Sequence, residues 1–190
     1  MYIKMAKKIR RKEEKEIIRE IEIPEDIEVK IENNEVDIKS GGKEIKRRFS
    51  HVIIEKKDNK IIIKTKKATK REKKQINAIA SHIKNMLKGI KETFVYKLQI
   101  CSVHFPMNVA VKGEEVIVKN FLGETKERKA KILRDVEVKI DGAIITVKAS
   151  DKEAAGQTAA NIEKVATSRN KDRRIFQDGI FMIEKSGEEI

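Results

Sequence analysis

Residues 29–40 read VKIENNEVDIKS, from Val29 to Ser40. Val29, Ile31, Val36 and Ile38 fall on alternate positions between charged neighbours, which is the period of a half-buried strand. Asn33-Asn34 between the two runs supply residues that tolerate the left-handed backbone of a tight turn. The stretch is therefore a strand, a turn and a strand. Outward from it, Gly41-Gly42 breaks the pattern, and Glu44–Phe49 and His51–Glu55 read as further strands. Asp58-Asn59 then turns the chain into Ile61, Ile63 and Thr65. A helix follows. Thr69 stands three residues before Glu72, the capping-box spacing, and Ile76, Ile79, Ala80, Ile83, Leu87 and Ile90 recur at helical intervals. Gly89 suits the C-terminal end of that helix.

The same pattern returns about eighty residues later. Val109 and Val111 answer Val29 and Ile31, Gly113-Glu114-Glu115-Val116 answers Asn33-Asn34-Glu35-Val36, and Val118-Lys119-Asn120 answers Ile38-Lys39-Ser40. Asp141-Gly142 takes the place of Asp58-Asn59 before a strand through Ile145, Val147 and Ala149. Ser150 and Glu153 restate the capping box, and Ala155, Ala159, Ile162 and Val165 face inward on a second helix. The expected fold is α+β, two tandem copies of a small antiparallel sheet covered by one helix. Its parts are a charged arm over 1–20, modules over 21–92 and 93–185, and a tail over 186–190.

Only the second copy continues past its helix, into SRNKDRRIFQDGIFMIEK, residues 168–185. Arg169, Lys171, Arg173 and Arg174 lie within six residues, ahead of a turn at Gln177-Asp178-Gly179 and a strand through Ile180-Phe181-Met182-Ile183. Four cations before a turn, hung from a strand, have the form of a phosphate clamp.

Composition narrows the partner. Forty-four Lys and Arg against 31 Asp and Glu give a formal charge of +13. A thermophile's ion-pair surface raises both signs and leaves no such surplus. A polyanion fits the surplus, nucleic acid first and an anionic membrane surface second. With no Trp, six Phe and two Tyr, the chain is poor in base-stacking platforms, so phosphate and groove-shape contacts are favoured. The one cysteine, Cys101, has no partner within the chain, no apolar run approaches a membrane span, and Met1–Glu20 is too charged for a secretory core. The reading is a soluble, cytoplasmic protein.

Catalytic chemistry finds little footing. Cys101 and His104 have a metal-like spacing, but an odd separation on a strand turns them to opposite faces, and His51 and His82 lie elsewhere. Ser102 shares a face with His104 without an orienting carboxylate, and no phosphate-loop or dinucleotide glycine motif is present. No enzyme, metal or cofactor is expected. His104-Phe105-Pro106 ends a strand, where His104 is either a partly buried structural residue or a contact to an RNA backbone.

The strings IPEDIEVKIENNEVDIK, SHIKNMLKGI, YKLQICSVHFPM, VKNFLGE, DKEAAGQTAANIE and KDRRIFQDGIF resemble the ribosomal protein family counted sixth in the bacterial large subunit, in its archaeal and eukaryotic form. The resemblance covers Ile21–Lys185. It implies two α+β domains and a structural constituent of the large ribosomal subunit, whose second domain binds ribosomal RNA near the sarcin-ricin loop and the translation-factor site. It also implies RNA contacts at His104, Asn120, Arg169, Lys171, Arg173, Arg174 and Gln177, with Lys126, Arg128 and Lys129 after Gly123 as further candidates. Partners are then large-subunit RNA and neighbouring ribosomal proteins, with no membrane and no small-molecule substrate. Two features depart from the family: Ser40-Gly41-Gly42-Lys43 lacks a usual loop proline, and the arm before Ile21 is longer. The alternative is a free-standing basic RNA-binding module outside the ribosome.

Overall fold

A computed structural model describes residues 17–24, 26–65, 69–172 and 174–190. The first module holds β1 (Ile17–Glu22), β2 (Glu28–Glu32), β3 (Glu35–Ser40), β4 (Lys43–Arg48), β5 (Ile53–Lys57), β6 (Lys60–Thr65) and helix α1 (Lys70–Lys91). The second holds β7 (Phe94–Cys101), β8 (Asn108–Lys112), β9 (Glu115–Lys119), β10 (Arg128–Lys131), β11 (Val136–Asp141), β12 (Ile144–Ala149), α2 (Lys152–Val165), β13 (Gly179–Lys185) and β14 (Glu188–Glu189). Within each module the strands divide between two antiparallel sheets. These are β1-β6-β5 with β2-β3-β4, and β11-β12-β7-β13-β14 with β10-β9-β8.

Laid side by side, β5-β6-β1 and β11-β12-β7 are the same arrangement, as are β2-β3-β4 and β8-β9-β10. The duplication read from the sequence is a duplication of topology. Alternation carries it: Val29, Val36, Ile38, Ile61 and Ile63 are buried under Ile76 and Ile83 in one core, and Leu98, Val116, Val118, Ile145 and Val147 under Ala155, Ala159 and Ile162 in the other. Turns fall where expected, with positive φ at Asn33, Asn34, Asp58, Gly113 and Gly142. The second copy adds two pieces: a short 3-10 turn at Phe121–Gly123, and the pair β13 and β14 laid on the free side of β7.

Three details differ from the sequence reading. Strand β1 takes in Ile17–Glu20, placed above in the arm, because β6 offers a partner some forty residues away, with Ile17 opposite Thr65 and Ile21 opposite Ile61. Residues 1–16, the rest of that arm, lie outside the described residues. Helix α1 has its Thr69–Glu72 capping box, yet it runs past Gly89 to Lys91. Gly89 is there for contact: a Cβ on it would lie 1.9 Å from the Ser150 carbonyl oxygen and 2.7 Å from the Phe94 ring. The second helix is capped by Asp151, whose carboxylate accepts from the Glu153 amide, and not by Ser150. One residue's shift keeps the physics, since either side chain satisfies a free amide of the first turn.

The modules meet where α1 passes the start of α2. Glu153 on α2 accepts from Arg47 on β4 at 2.5 Å and lies 2.8 Å from His82 Nδ1 on α1. The Arg47 hydrogen bond holds the Glu153 carboxyl below its ordinary range against the burial that would raise it.

Candidate nucleic-acid interface

The basic segment leaves α2 at Val165 and returns to the sheet at Gly179, and both ends are fixed. At the helix end the last carbonyls lack intrahelical donors. Arg128 supplies them, its Nη1 donating to Val165 O at 2.7 Å and Thr167 O at 3.1 Å. The rest of its guanidinium forks onto Glu124 at 2.8 and 2.6 Å and lies 4.3 Å from the Phe121 ring centre. That pairing lowers the Glu124 pKa, with Lys171 contributing through its charge.

At the sheet end the anchor is Asp178, only 4% exposed. Its Oδ1 accepts from the amides of Val103 at 2.7 Å and His104 at 3.0 Å, and its Oδ2 meets His104 Nδ1 at 2.6 Å. Burial pushes this carboxyl up. The His104 amide, the imidazole and the Val103 amide together outweigh that and hold it down at about 2. Neither Asp178 nor Gly179 has positive φ, so this is no tight Asp-Gly turn. Gly179 is small because a Cβ would meet the Phe181 ring at 2.8 Å and the Ala166 carbonyl at 3.2 Å.

Between the anchors, Arg169, Lys171 and Arg174 are exposed on a loop with Asn170 left-handed at φ 57°. Lys171 Nζ lies 4.6 Å from the Phe176 ring centre, and the His104 ring is 5.0 Å from the same ring. Asp172 accepts from the Arg174 amide at 2.9 Å and from its Nη2 at 2.8 Å, which lowers the Asp172 pKa. Arg174 still exposes 89% of its side chain, so the pair lends it direction more than stability. Gln177 is exposed and donates to Arg174 O at 3.4 Å. Beneath the loop, a cleft of about 650 Å³ is lined by Cys101, Val103, Thr167, Ser168, Phe176 and Phe181 among others.

The structure thus brings Lys171 and His104 to the same Phe176 ring and Gln177 to Arg174, with Arg169 exposed on the same loop, while Arg173 lies outside the described residues. His104 is not on a strand: β7 stops at Cys101 and the histidine sits in the following bend, its Nδ1 engaged and its ring partly exposed. Arg128 is committed to protein contacts, and Asn120, left-handed at φ 58°, donates to Pro106 O at 2.9 Å. Lys129 turns to Glu115 at 3.1 Å, while Lys126 is exposed and makes no ion pair among the described residues. Asp178, Glu124 and Phe176 were missed as organisers. Asp178 left one trace, a lone acid between a cationic run and an apolar strand.

Among the described residues no group of His, Cys, Asp and Glu could hold a metal ion, and no helix is long and apolar enough to cross a membrane. The family model described as ribosomal protein L6 matches residues 15–93 and 105–179, one match per module. Among curated proteins, the chain is 44% identical to the large ribosomal subunit protein uL6 of Methanococcus vannielii, covering 88% of this chain and 93% of that one. Its counterparts in Sulfurisphaera tokodaii and Aeropyrum pernix are 43% and 40% identical, over 87% and 89% of this chain and 91% and 94% of theirs.

Proposed function

The chain belongs to the ribosomal protein L6 family and is a structural constituent of the large ribosomal subunit, not an enzyme, and on that premise we propose that its second module grips ribosomal RNA with the loop between α2 and β13. Arg169, Lys171 and Arg174 neutralise phosphates, Gln177 and the free face of His104 supply hydrogen bonds, and Lys126 adds a cation nearby. Arg128 and Asn120 serve the grip by holding its scaffold, and Lys129 stays with Glu115 until RNA competes for it. The RNA is the part of the large-subunit molecule around the sarcin-ricin loop and the translation-factor site. Neighbouring ribosomal proteins complete the surroundings.

One observation carries this reading. The loop is a piece the duplication does not explain: it and β13 are built onto the scaffold the two copies share, and two anchors, the buried Asp178 and the partly buried Arg128, hold its ends. Replacing Arg169 and Arg174 with alanine is expected to weaken binding to large-subunit RNA about tenfold or more in moderate salt. It should also flatten the salt dependence by about two phosphates' worth of counterion release, with an unchanged melting curve. Footprints on the RNA should fade around the sarcin-ricin loop. Equal affinity and equal footprints for the double variant would remove the loop from the interface. Sedimentation of the native protein with the large subunit through a high-salt wash separates this reading from a free-standing RNA-binding module.

A further inference from the structure

We infer that the first module carries a second RNA-binding surface, the exposed face of α1, which docks on the shallow groove of an RNA duplex. The duplication supplies an internal comparison. Helices α1 and α2 occupy equivalent places, yet α2 balances Lys152 and Lys164 against Glu153 and Glu163, whereas α1 carries Lys70, Arg71, Lys73, Lys74, Lys84, Lys88 and Lys91 against Glu72 alone. Much of the chain's surplus charge therefore lies on one helix. Several cations elsewhere on the sheets are matched, as Lys39 and Lys46 are with Glu44, Lys64 with Glu55 and Lys119 with Glu127. Among the described residues, the only ion pair made by a lysine or arginine of α1 is Lys91 with Asp26 at 3.6 Å.

Placement sharpens the inference. Ile76, Ile79, Ile83, Met86, Leu87 and Ile90 are buried, and Lys70, Lys74, Asn77, Ser81, Lys84 and Lys88 run along the opposite, exposed side. The apolar face is spent on the module's own core, which rules out insertion into a membrane surface. Four cations crowd the first turns, where the helix dipole disfavours positive charge, a placement that an external anion reverses. Lys74 and Lys84 are separated by about 15 Å of helix rise. Between them the exposed residues are the short Asn77, Ala78 and Ser81, and the Ser81 hydroxyl donates to Asn77 O at 3.0 Å, which leaves its oxygen free to accept. Two cationic ends flanking a small polar centre match an A-form minor groove, with phosphates on either side and 2′-hydroxyls between.

This inference rests on the reading of the chain as an RNA-binding subunit protein, and the test keeps the two apart. The full chain is compared with Lys74→Gln, Lys84→Gln and Lys88→Gln combined, and separately with the Arg169 and Arg174 alanine pair, for binding to large-subunit RNA over a range of salt. Glutamine keeps the helix and removes the charge, so melting curves should coincide. The α1 variant is expected to lose about tenfold in affinity and two to three units of salt slope. It should also lose protection of a duplex distinct from the one lost with the loop variant. If the α1 variant binds and protects as the parent does while the loop variant fails, the inference falls and the loop reading stands. If the α1 variant fails and the loop variant does not, the reverse holds. An α1 variant that binds naked RNA normally but no longer stays on the subunit would assign the face to an acidic protein and overturn the RNA occupant.

Discussion

Asp178 shows how one buried residue sets the chemistry of an exposed loop. Its carboxylate is held at about 2 against an ordinary 3.8, so its contribution is complete above about pH 4 and is lost as pH falls through 2. Asp178→Asn keeps an oxygen for the two amides but loses the negative charge that faces the imidazole. It is expected to cost about 2 kcal/mol at pH 7, roughly 4–8 °C in melting temperature, and much less near pH 2. Melting of parent and variant across pH checks this, and an equal loss at both ends would show that charge is not the cause. Sequence could not reveal the role, because Val103 and His104 are more than seventy residues from Asp178 and only the pairing of β13 with β7 brings them together. Arg128 was legible as a cation and illegible as a brace for the same reason: Val165 and Thr167 reach it from a different element.

Among the elements, what read well was local. Period-two alternation, the Asn33-Asn34 and Asp141-Gly142 turns and the Thr69–Glu72 box are set by neighbours within a few residues, and they stand as expected, unlike the turn read at Asp178-Gly179. What read poorly was Gly89, whose meaning lies on another element. Alanine there would favour the helix by about 1 kcal/mol from propensity, yet its methyl would sit 1.9 Å from the Ser150 carbonyl. Gly89→Ala is therefore expected to destabilise by about 1–3 kcal/mol in urea unfolding. Gly156→Ala in α2, where the nearest atoms to a Cβ would be the Tyr96 hydroxyl at 3.3 Å and its ring at 3.5 Å, is expected to be neutral or stabilising. Equal effects of the two would deny the close approach of α1 to the second module.

Taken whole, the molecule is two cores that share no buried residue, joined by that glycine contact and by Arg47, His82 and Glu153. Such a joint is polar and half-exposed, so its coupling is small. A double-mutant cycle of Arg47→Met and Glu153→Gln is expected to give about 0.5–1 kcal/mol between the modules at low salt. The Glu153 pKa is lowered in the folded protein, so the coupling should hold at neutral pH and fade as the carboxyl protonates in acid. A coupling of zero at neutral pH would leave the modules energetically independent. The sequence disclosed both cores, each following a repeating local pattern, and gave no sign of the joint, which joins three side chains from three elements.

The placement of β13 also sets a timetable. All strands and the helix of the first module are contiguous in the chain, so that half can close its core while the rest is still being made. The second sheet is different, because β7 opens that module and its neighbour β13 comes some eighty residues later, after α2 and the basic loop. The Asp178 anchor of the loop therefore waits for β13 to emerge, whereas the Arg128 anchor needs only β10 and the end of α2. A nascent chain would acquire the grip of this loop only once β13 has emerged, and one truncated before β13 would be folded in its first module while the loop stayed idle.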